Sequence, residues 1–255
     1  MVKLMRSENY IVTSHGMDDY EEKNVLILIR NIAYRKQVAV YHRMKDGWWG
    51  DVPAHYLCKA GEDYELWGVN HEMFCDVGDI GLYGREFVIR YIVDNRIYWD
   101  NNCGSNYHLS ESSHADGPGP MLGVGVNVLL RQASLNASGR LNAFIDVRNI
   151  HPHKAVSIRY TCDNWETSAT LDANYIESFP TGHDSFIRFP NAYNIERWMV
   201  DAPTDIDGSK LQFIIEYDVA GFRYVDNNYS LNYSVAGRED TVLPYRDDEI
   251  DRRSG

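Results

Sequence analysis

A ten-residue phrase rich in asparagine and aromatic residues occurs twice in this chain. Residues 98–107 read YWDNNCGSNY, and residues 224–233 read YVDNNYSLNY. An asparagine side chain offers both hydrogen-bond donors and an acceptor on one short arm, and aromatic rings offer flat apolar faces. This combination suits a neutral ligand that has many hydroxyl groups and apolar C–H faces, which describes a sugar.

The repeat extends well beyond this phrase. Arg30-Asn31-Ile32 returns as Arg148-Asn149-Ile150, an offset of 148 − 30 = 118, whereas the amide phrase returns at 224 − 98 = 126. The larger second offset places an insertion in the second copy, within residues 180–210. Two copies of about 120 residues are each large enough for a separate domain, so we predict two homologous domains and not a solenoid.

Composition marks the predicted domain boundaries. Residues 110–120 read SESSHADGPGP, which is typical of a linker, and residues 237–255 are charged and poor in apolar residues. We therefore predict domains at 1–115 and 120–236, followed by a disordered tail at 237–255.

Short β-rich segments at regular spacing predict an all-β fold. Residues 87–93 and 96–99 flank Asp94-Asn95, and residues 211–219 and 222–225 flank Ala220-Gly221, which is typical of β-hairpins. Helical periodicity is scarce. We expect an antiparallel β-sandwich in each copy, in which the amide phrase begins at a strand end and runs into a loop.

Composition also limits the classes of function. The formal net charge of −12 disfavours binding to nucleic acid or to an anionic membrane surface, and no long apolar run predicts a transmembrane helix. The four cysteines, at 58, 75, 103 and 162, form no Cys-x-x-Cys pair, which favours free thiols and therefore a cytoplasmic protein. Two alternatives stay open: a disulfide between Cys58 and Cys75, and secretion after removal of a signal peptide. No cofactor or metal motif, nucleophile motif or placed carboxylate pair appears, so the chain is predicted not to be an enzyme.

Four ordered elements of the first copy resemble carbohydrate-binding module family 21. They are Arg30-Asn31-Ile32-Ala33-Tyr34-Arg35-Lys36-Gln37-Val38, then Asp46-Gly47-Trp48, then Ala54-His55-Tyr56, then Tyr98 to Tyr107. The family includes starch-binding domains of fungal glucoamylases and glycogen-targeting subunits of protein phosphatase 1. The resemblance implies an immunoglobulin-like β-sandwich that binds α-1,4-glucan, such as starch, amylose or glycogen.

The resemblance also implies which residues bind the sugar. Trp48 and Trp99 would stack on it, Asn101 and Asn106 would supply loop amides, and Tyr34 and Lys36 would belong to a second site. The second copy offers Trp165, Asn227, Tyr229, Asn232 and Lys154. It has Val225 where the first copy has Trp99, and Pro152 where the first has Tyr34. The positions of a further stacking aromatic in some fungal members hold Val88 and Ile214, which cannot stack. The first copy is therefore expected to bind more strongly.

Each of these residues also has a purely structural interpretation. Trp48 and Trp165 could be core tryptophans, the asparagines could hold the turns, and Lys36 and Lys154 could be solvated charges, while Tyr107 and Tyr233 are expected to pack inward. Our functional prediction is non-catalytic binding of α-1,4-glucan. The alternatives are a scaffold that brings a phosphatase or another enzyme to glycogen, and the binding part of a larger carbohydrate-active enzyme.

Overall fold

The computed structural model describes residues 1–12, 20–44, 47–74, 86–108, 120–179, 194–204, 210–236 and 240–242. The chain divides into two compact units. The first comprises Met1–Val126 with Phe179–Ile195, and the second comprises Asn127–Ser178 with Glu196–Gly255. Both are built from antiparallel strands, which confirms the all-β prediction.

The described residues of the first unit form ten strands in two sheets. They are β1 (Val2–Val12), β2 (Tyr20–Arg30), β3 (Lys36–Arg43), β4 (Trp49–Pro53), β5 (His55–Ala60), β6 (Tyr64–Phe74), β7 (Glu86–Val93), β8 (Arg96–Asp100), β9 (Tyr107–His108) and β10 (Met121–Leu122), with one 3₁₀ turn at Asn102–Gly104. One sheet has the order β10-β1-β2-β6-β5. The other has the order β4-β3-β7-β8, and β9 also pairs with β7.

The second unit repeats this plan. Its strands are β11 (Val128–Leu135), β12 (Arg140–Arg148), β13 (Lys154–Thr161), β14 (Ala169–Asp172), β15 (Asn174–Phe179), β16 (Ile195–Pro203), β17 (Lys210–Val219), β18 (Phe222–Asp226), β19 (Tyr233–Ala236) and β20 (Asp240–Val242). The sheet orders are β15-β16-β12-β11-β20 and β14-β13-β17-β18, with β19 on β17. The ladder β14-β13-β17-β18 is the counterpart of β4-β3-β7-β8.

Alternating apolar residues build the core of each sandwich. In the first unit, Val38 and Val40 of β3 and Phe87, Ile89 and Tyr91 of β7 face the interior, where they meet apolar residues of the opposing sheet. Side chains alternate between the two faces of a strand, so the residues between them lie on the outer face. Burial of each large apolar side chain contributes about 1.5–3 kcal/mol, which makes the sheet a firm support for side chains on its outer face.

The two predicted hairpins are present and turn as their residues require. Asp94 and Asn95 join β7 to β8 with φ of 48° and 58°, and Ala220 and Gly221 join β17 to β18 with φ of 51° and 80°. Two consecutive residues with positive φ match the right-handed twist of the flanking strands. Each hairpin delivers the start of an amide phrase to a strand end.

The structure also departs from the predicted boundaries. The first twelve residues, which the sequence left unassigned, include β1, and Met121-Leu122 of the predicted second domain pair with β1 in the first unit. Asp240–Val242 pair with β11, so the prediction of a disordered tail is wrong for these three residues. The proposed linker at 110–119 and most of the predicted insertion, 180–193 and 205–209, lie outside the described residues.

Two further properties concern only the described part of the chain. It contains no helix that is long and apolar enough to cross a membrane. Cys58 and Cys103 are free thiols there, whereas Cys75 lies outside the described residues.

Candidate carbohydrate-binding site

The β7–β8 hairpin places Trp99 at the surface of the first unit. Trp99 lies on the edge strand β8, opposite Arg90 of β7, and 45% of it is exposed. Its neighbour Tyr98 is half-buried and packs against the buried Tyr91, with ring centroids 5.8 Å apart. The strand thus anchors one ring and offers the next to solvent.

The loop after Trp99 is braced by Asp100. The Asp100 carboxylate accepts hydrogen bonds from the Tyr107 hydroxyl at 2.8 Å and from the Leu4 backbone N–H at 2.7 Å. Tyr107 is fully buried, as the sequence analysis expected. Burial, and next the nearby charge of Asp100, hold the pKa of Tyr107 far above its usual value, so its hydroxyl stays a donor. This brace fixes the loop to the sandwich.

The predicted amides Asn101 and Asn106 hold this loop. Asn101 Oδ1 accepts from the Gly104 N–H at 3.1 Å, and Asn106 Nδ2 donates to Glu86 Oε1 at 2.8 Å. Asn106 has φ of 55°, in the left-handed region that asparagine tolerates. Asn101 is nevertheless exposed and lies two residues from Trp99. Their structural role is therefore clear, and sugar contact stays a prediction.

Trp48 belongs to the surface and not to the core. It precedes β4 and is 75% exposed, which rules out its interpretation as a core tryptophan. The other half of its motif, Asp46, lies outside the described residues.

Two aromatic residues near Trp99 were missed by the sequence analysis. Tyr41 of β3 lies against Trp99, with ring centroids 5.6 Å apart, and stacks on Trp49 of β4 at 5.3 Å. The inward positions Val38 and Val40 already imply that Tyr41 faces outward. The sequence gives no sign, however, of which cross-strand neighbour it meets.

A separate cleft of about 940 Å³ lies in the first unit around Tyr34. Tyr34 is 97% exposed and Tyr56 is 53% exposed, and Tyr56 meets Trp67 edge to face at 6.1 Å. Asp94 and Asn95 of the hairpin turn also line the cleft. Tyr34 was predicted from the sequence; Tyr56 and Trp67 were not, although Tyr56 lies in the repeated Ala-x-Tyr element.

Lys36 lies in this cleft but is engaged by protein groups. Its ammonium group donates to both carboxylate oxygens of Glu65 at 2.8 Å and to Asn31 Oδ1 at 2.6 Å, and only 5% of the side chain is exposed. Glu65 also accepts from Trp67 Nε1 at 2.9 Å. Lys36 is therefore not a charge surrounded by solvent, which was its structural interpretation. Its contacts favour a role in supporting the Trp67 indole over direct contact with a sugar.

The second unit keeps the braced loop. The Asp226 carboxylate accepts from the Tyr233 hydroxyl at 2.9 Å and from the Leu130 N–H at 2.8 Å, and burial raises its pKa above the usual value. Tyr233 packs inward as expected. Asn227 Oδ1 accepts from the Ser230 N–H at 3.0 Å.

The remaining loop residues also serve its turn. Tyr229 and Asn232 have φ of 55° and 57°, and the Asn232 N–H donates to the Asn227 carbonyl at 2.8 Å. The shared brace explains why the phrase repeats even where its exposed ring does not.

The outer face of the second unit differs from that of the first. Val225 occupies the position of Trp99 and is 47% exposed. Trp165 donates from Nε1 to Gln212 Oε1 at 3.0 Å, and the Arg159 guanidinium lies 5.7 Å from its ring centroid. A ring face covered by a cation offers less area for stacking than the exposed Trp48.

The loop that carries Trp165 is held by Asp163. The Asp163 carboxylate accepts hydrogen bonds from the Thr167 hydroxyl at 2.6 Å, from the Thr167 N–H at 2.9 Å and from the Thr161 hydroxyl at 2.7 Å. These bonds, those of Thr167 first, lower the pKa of Asp163 to about 2.

Lys154 repeats the arrangement of Lys36. It donates to Glu196 at 2.8 Å and to Asn149, and Trp198 Nε1 donates to Glu196 at 3.1 Å. Tyr175 meets Trp198 edge to face at 6.0 Å, while the exposed Pro152 stands where the first unit has Tyr34. Lys154 therefore supports its indole just as Lys36 does.

Among the described residues, no three His, Cys, Asp or Glu side chains lie together in a way that could hold a metal ion. His151 and His153 have ring centroids 5.5 Å apart but belong to no such group.

Comparison with known proteins gives a consistent picture. A sequence model described as carbohydrate/starch-binding module (family 21) matches residues 7–110 and 124–236. The chain is 32% identical to Glycogen-binding subunit 76A of Drosophila melanogaster over 101 residues, which is 38% of this chain and 13% of that protein. It is 34% identical to Glucoamylase 1 of Rhizopus oryzae over 91 residues, which is 34% of this chain and 14% of that protein. The chain thus spans a small part of these relatives.

One solved structure similar to this chain is the carbohydrate-binding module of the muscle glycogen-targeting subunit of Protein Phosphatase-1. The match has a TM-score of 0.33 and 23% sequence identity, and it covers 45% of this chain and 78% of that one.

Proposed function

This chain belongs to the carbohydrate/starch-binding module family 21, and we propose from that premise that it binds an α-1,4-glucan such as starch, amylose or glycogen without catalysing its conversion. The observation that carries the proposal is the exposed indole of Trp99, held on a rigid hairpin directly before a braced loop of amides. Trp48, Asn101 and Asn106 are proposed to complete this site, and Tyr34, with Tyr56 and Trp67, a second one in the cleft.

The chemistry of these side chains supports a neutral, hydroxylated ligand. Each ring that covers a C–H face of glucose is expected to contribute about 1–2 kcal/mol, and each neutral hydrogen bond about 0.5–1.5 kcal/mol. After the cost of association, a single site has an affinity in the range of roughly micromolar to millimolar. Two sites on one polymer chain would gain avidity if both can be occupied together.

The proposal assigns the stronger site to the first unit. Val225 removes the platform that Trp99 provides, and Trp165 is tied to Gln212 and covered by Arg159. Asn227, Tyr229 and Asn232 then act mainly in the turn of the second unit.

Affinity electrophoresis tests this proposal. The parent, Trp99→Ala and Phe222→Ala, a control at an exposed aromatic of the second unit, are run in native gels that contain glycogen, amylose or a β-glucan. We expect the α-glucans to retard the parent and the control, and to retard Trp99→Ala much less. Migration of the parent that no α-glucan slows would refute the function, and full retardation of folded Trp99→Ala would refute the site.

A second candidate function, a scaffold for an enzyme, has support in the partial coverage of the relatives. The similar Drosophila protein is named a glycogen-binding subunit, and the chain covers 13% of it. Glucan binding by this chain would then bring an attached or recruited enzyme, such as a phosphatase, to glycogen. Co-sedimentation of a phosphatase with glycogen, in the presence and absence of this chain, tests the idea; equal sedimentation counts against it.

A further inference from the structure

Three rings form a row on the outer face of the sheet β4-β3-β7-β8. Trp49 stacks on Tyr41 with ring centroids 5.3 Å apart and an interplanar angle of 28°. Tyr41 in turn meets Trp99 at 5.6 Å and an angle of 56°. The row therefore starts at the edge strand β4, crosses β3 and reaches the opposite edge strand β8. We call Trp49, Tyr41 and Trp99 the three-ring row.

Register explains how rings on three strands meet. Tyr41 pairs with Val88 of β7, which is aliphatic and 6% exposed, so the strand between Tyr41 and Trp99 contributes no competing ring. Arg90 pairs with Ala39 on one side and with Trp99 on the other. The Tyr41 ring therefore reaches across β7 to Trp99, where the two ring centroids lie 5.6 Å apart.

An ion pair lies against the middle of the row. The Arg90 guanidinium lies 5.5 Å from the centroid of the Tyr41 ring and bonds to the Asp51 carboxylate. The side chains of Arg90 and Asp51 are 24% and 33% exposed, so both reach solvent. A cation over a ring and an ion pair beside it fix the orientation of Tyr41. They also place a charged donor and a charged acceptor beside the rings.

The second unit serves as an internal comparison, because the positions that match the three rings hold no aromatic residue there. Arg159, paired with Ile214, stands in place of Tyr41, and Glu216, opposite Val225, stands in place of Arg90. Arg159 and Arg223 both bridge to Glu216, at 3.1 and 3.5 Å. The second unit therefore lacks both the ring at the position of Tyr41 and the platform at the position of Trp99. The ring at Trp49 is absent as well, since Glu166 follows Trp165 as Trp49 follows Trp48. This joint replacement indicates that the rings of the first unit work as a set.

We propose that Trp49 and Tyr41 extend the Trp99 platform into an elongated subsite for consecutive sugar units of one glucan chain. The inference rests on the proposed function of the first unit. Trp49 supplies a further stacking face, Tyr41 positions Trp99 and joins the two ends, and Arg90 and Asp51 hydrogen-bond to sugar hydroxyls. A row of this kind makes affinity depend on chain length, because a short oligosaccharide covers only one end of it.

Chain-length dependence provides the test. The full chain and its Trp49→Ala variant are titrated with maltose and with maltoheptaose. The parent is expected to bind the heptaose more tightly than maltose. Trp49→Ala should lose about tenfold in affinity for the heptaose, as expected for removal of one stacking contact, and little for maltose. Phe222→Ala, on the matching sheet of the second unit, should bind both sugars like the parent.

The role of Tyr41 is tested separately. Tyr41→Ala should weaken the binding of both sugars, because Trp99 loses its neighbour. Unchanged binding by a folded Tyr41→Ala protein would overturn this positioning role. If Tyr41→Ala fails to fold by near-ultraviolet circular dichroism, the Trp49→Ala titration decides alone.

The possible outcomes separate the inference from the proposed function. Unchanged heptaose binding by Trp49→Ala, or an equal loss on both sugars, overturns the elongated subsite while leaving glucan binding in place. If the parent binds neither sugar, the proposed function itself is overturned, and the subsite with it.

Discussion

At the scale of single residues, exposure separates side chains that the sequence treats alike. Trp48 and Trp165 occupy matching positions, yet Trp48 is 75% exposed whereas Trp165 is half-buried and bonded to Gln212. The loss of the ring at Val225 is visible in the sequence itself. The sequence could not reveal the bond between Trp165 and Gln212, because that contact joins a loop residue to a residue of β17 that lies 47 positions further along the chain.

Lys36 shows how a matching residue can serve a structural role. The family resemblance marks it as a sugar contact, but its ammonium group is bound to Glu65 and Asn31. We expect Lys36→Met to lower the free energy of unfolding by about 3–5 kcal/mol, because it leaves the largely buried Glu65 carboxylate without its cation. Chemical denaturation of the variant measures this loss.

The matched control for Lys36 is Arg43→Met. Arg43 pairs with Glu86 at 3.2 Å, but its side chain is 58% exposed, so this substitution should cost less than about 1 kcal/mol. A Lys36→Met protein as stable as the parent would show that the ion pair does not support the cleft.

At the scale of elements, the contacts of the amide phrase give it a structural role, since they hold its loop to the sandwich. Its role in binding is additional to this. Asp100 and Tyr107 connect the end of β8 to β9 and, through the Leu4 N–H, to β1. The sequence predicts the inward packing of Tyr107 and is compatible with asparagines that hold the turn. It could not identify the long-range partner Leu4, which lies 96 residues from Asp100.

We expect Tyr107→Phe to destabilise the protein by about 1–3 kcal/mol, since it removes a donor from a carboxylate that stays in place. It should also weaken glucan binding, because Asp100 directly follows Trp99. Tyr233→Phe removes the equivalent hydroxyl in the second unit and should lower stability similarly, with little effect on binding. Thermal unfolding and a glucan titration of both variants make the comparison; equal binding losses would argue against the assignment of the site to the first unit.

The stabilisation that Asp163 gives to the loop between β13 and β14 should be lost in acid. Its Asp163 has a pKa lowered to about 2, below the ordinary value of 3.8, so its charged form is the one that the fold favours. The stabilisation is therefore complete above about pH 4 and is lost as the pH falls through 2. In Asp163→Asn, this part of the acid dependence should be missing from denaturation curves recorded between pH 4 and 2. Identical acid profiles for variant and parent would contradict the assignment.

At the scale of the whole molecule, the sequence reveals that the chain is a duplication. It reveals only some of the differences between the two copies. Spaced motifs and two hairpins sufficed to predict two all-β units, because their strands alternate and their turns need positive φ. The strand β1 was missed, since residues such as Arg6, Ser7 and Glu8 carry no clear alternation although they are buried. The row of rings from Trp49 to Trp99 was missed as well, because it depends on the register of four strands.

The central claim is that the outer face of the first unit, through Trp99, binds α-1,4-glucan. Isothermal titration of the parent, Trp99→Ala and Val225→Ala with maltoheptaose tests it most directly, since Val225 is the counterpart of Trp99 in the second unit. We expect parent affinity in the range of roughly micromolar to millimolar, a loss of about tenfold or more in Trp99→Ala, and parental affinity in Val225→Ala. A folded Trp99→Ala protein that binds maltoheptaose as tightly as the parent would contradict the claim.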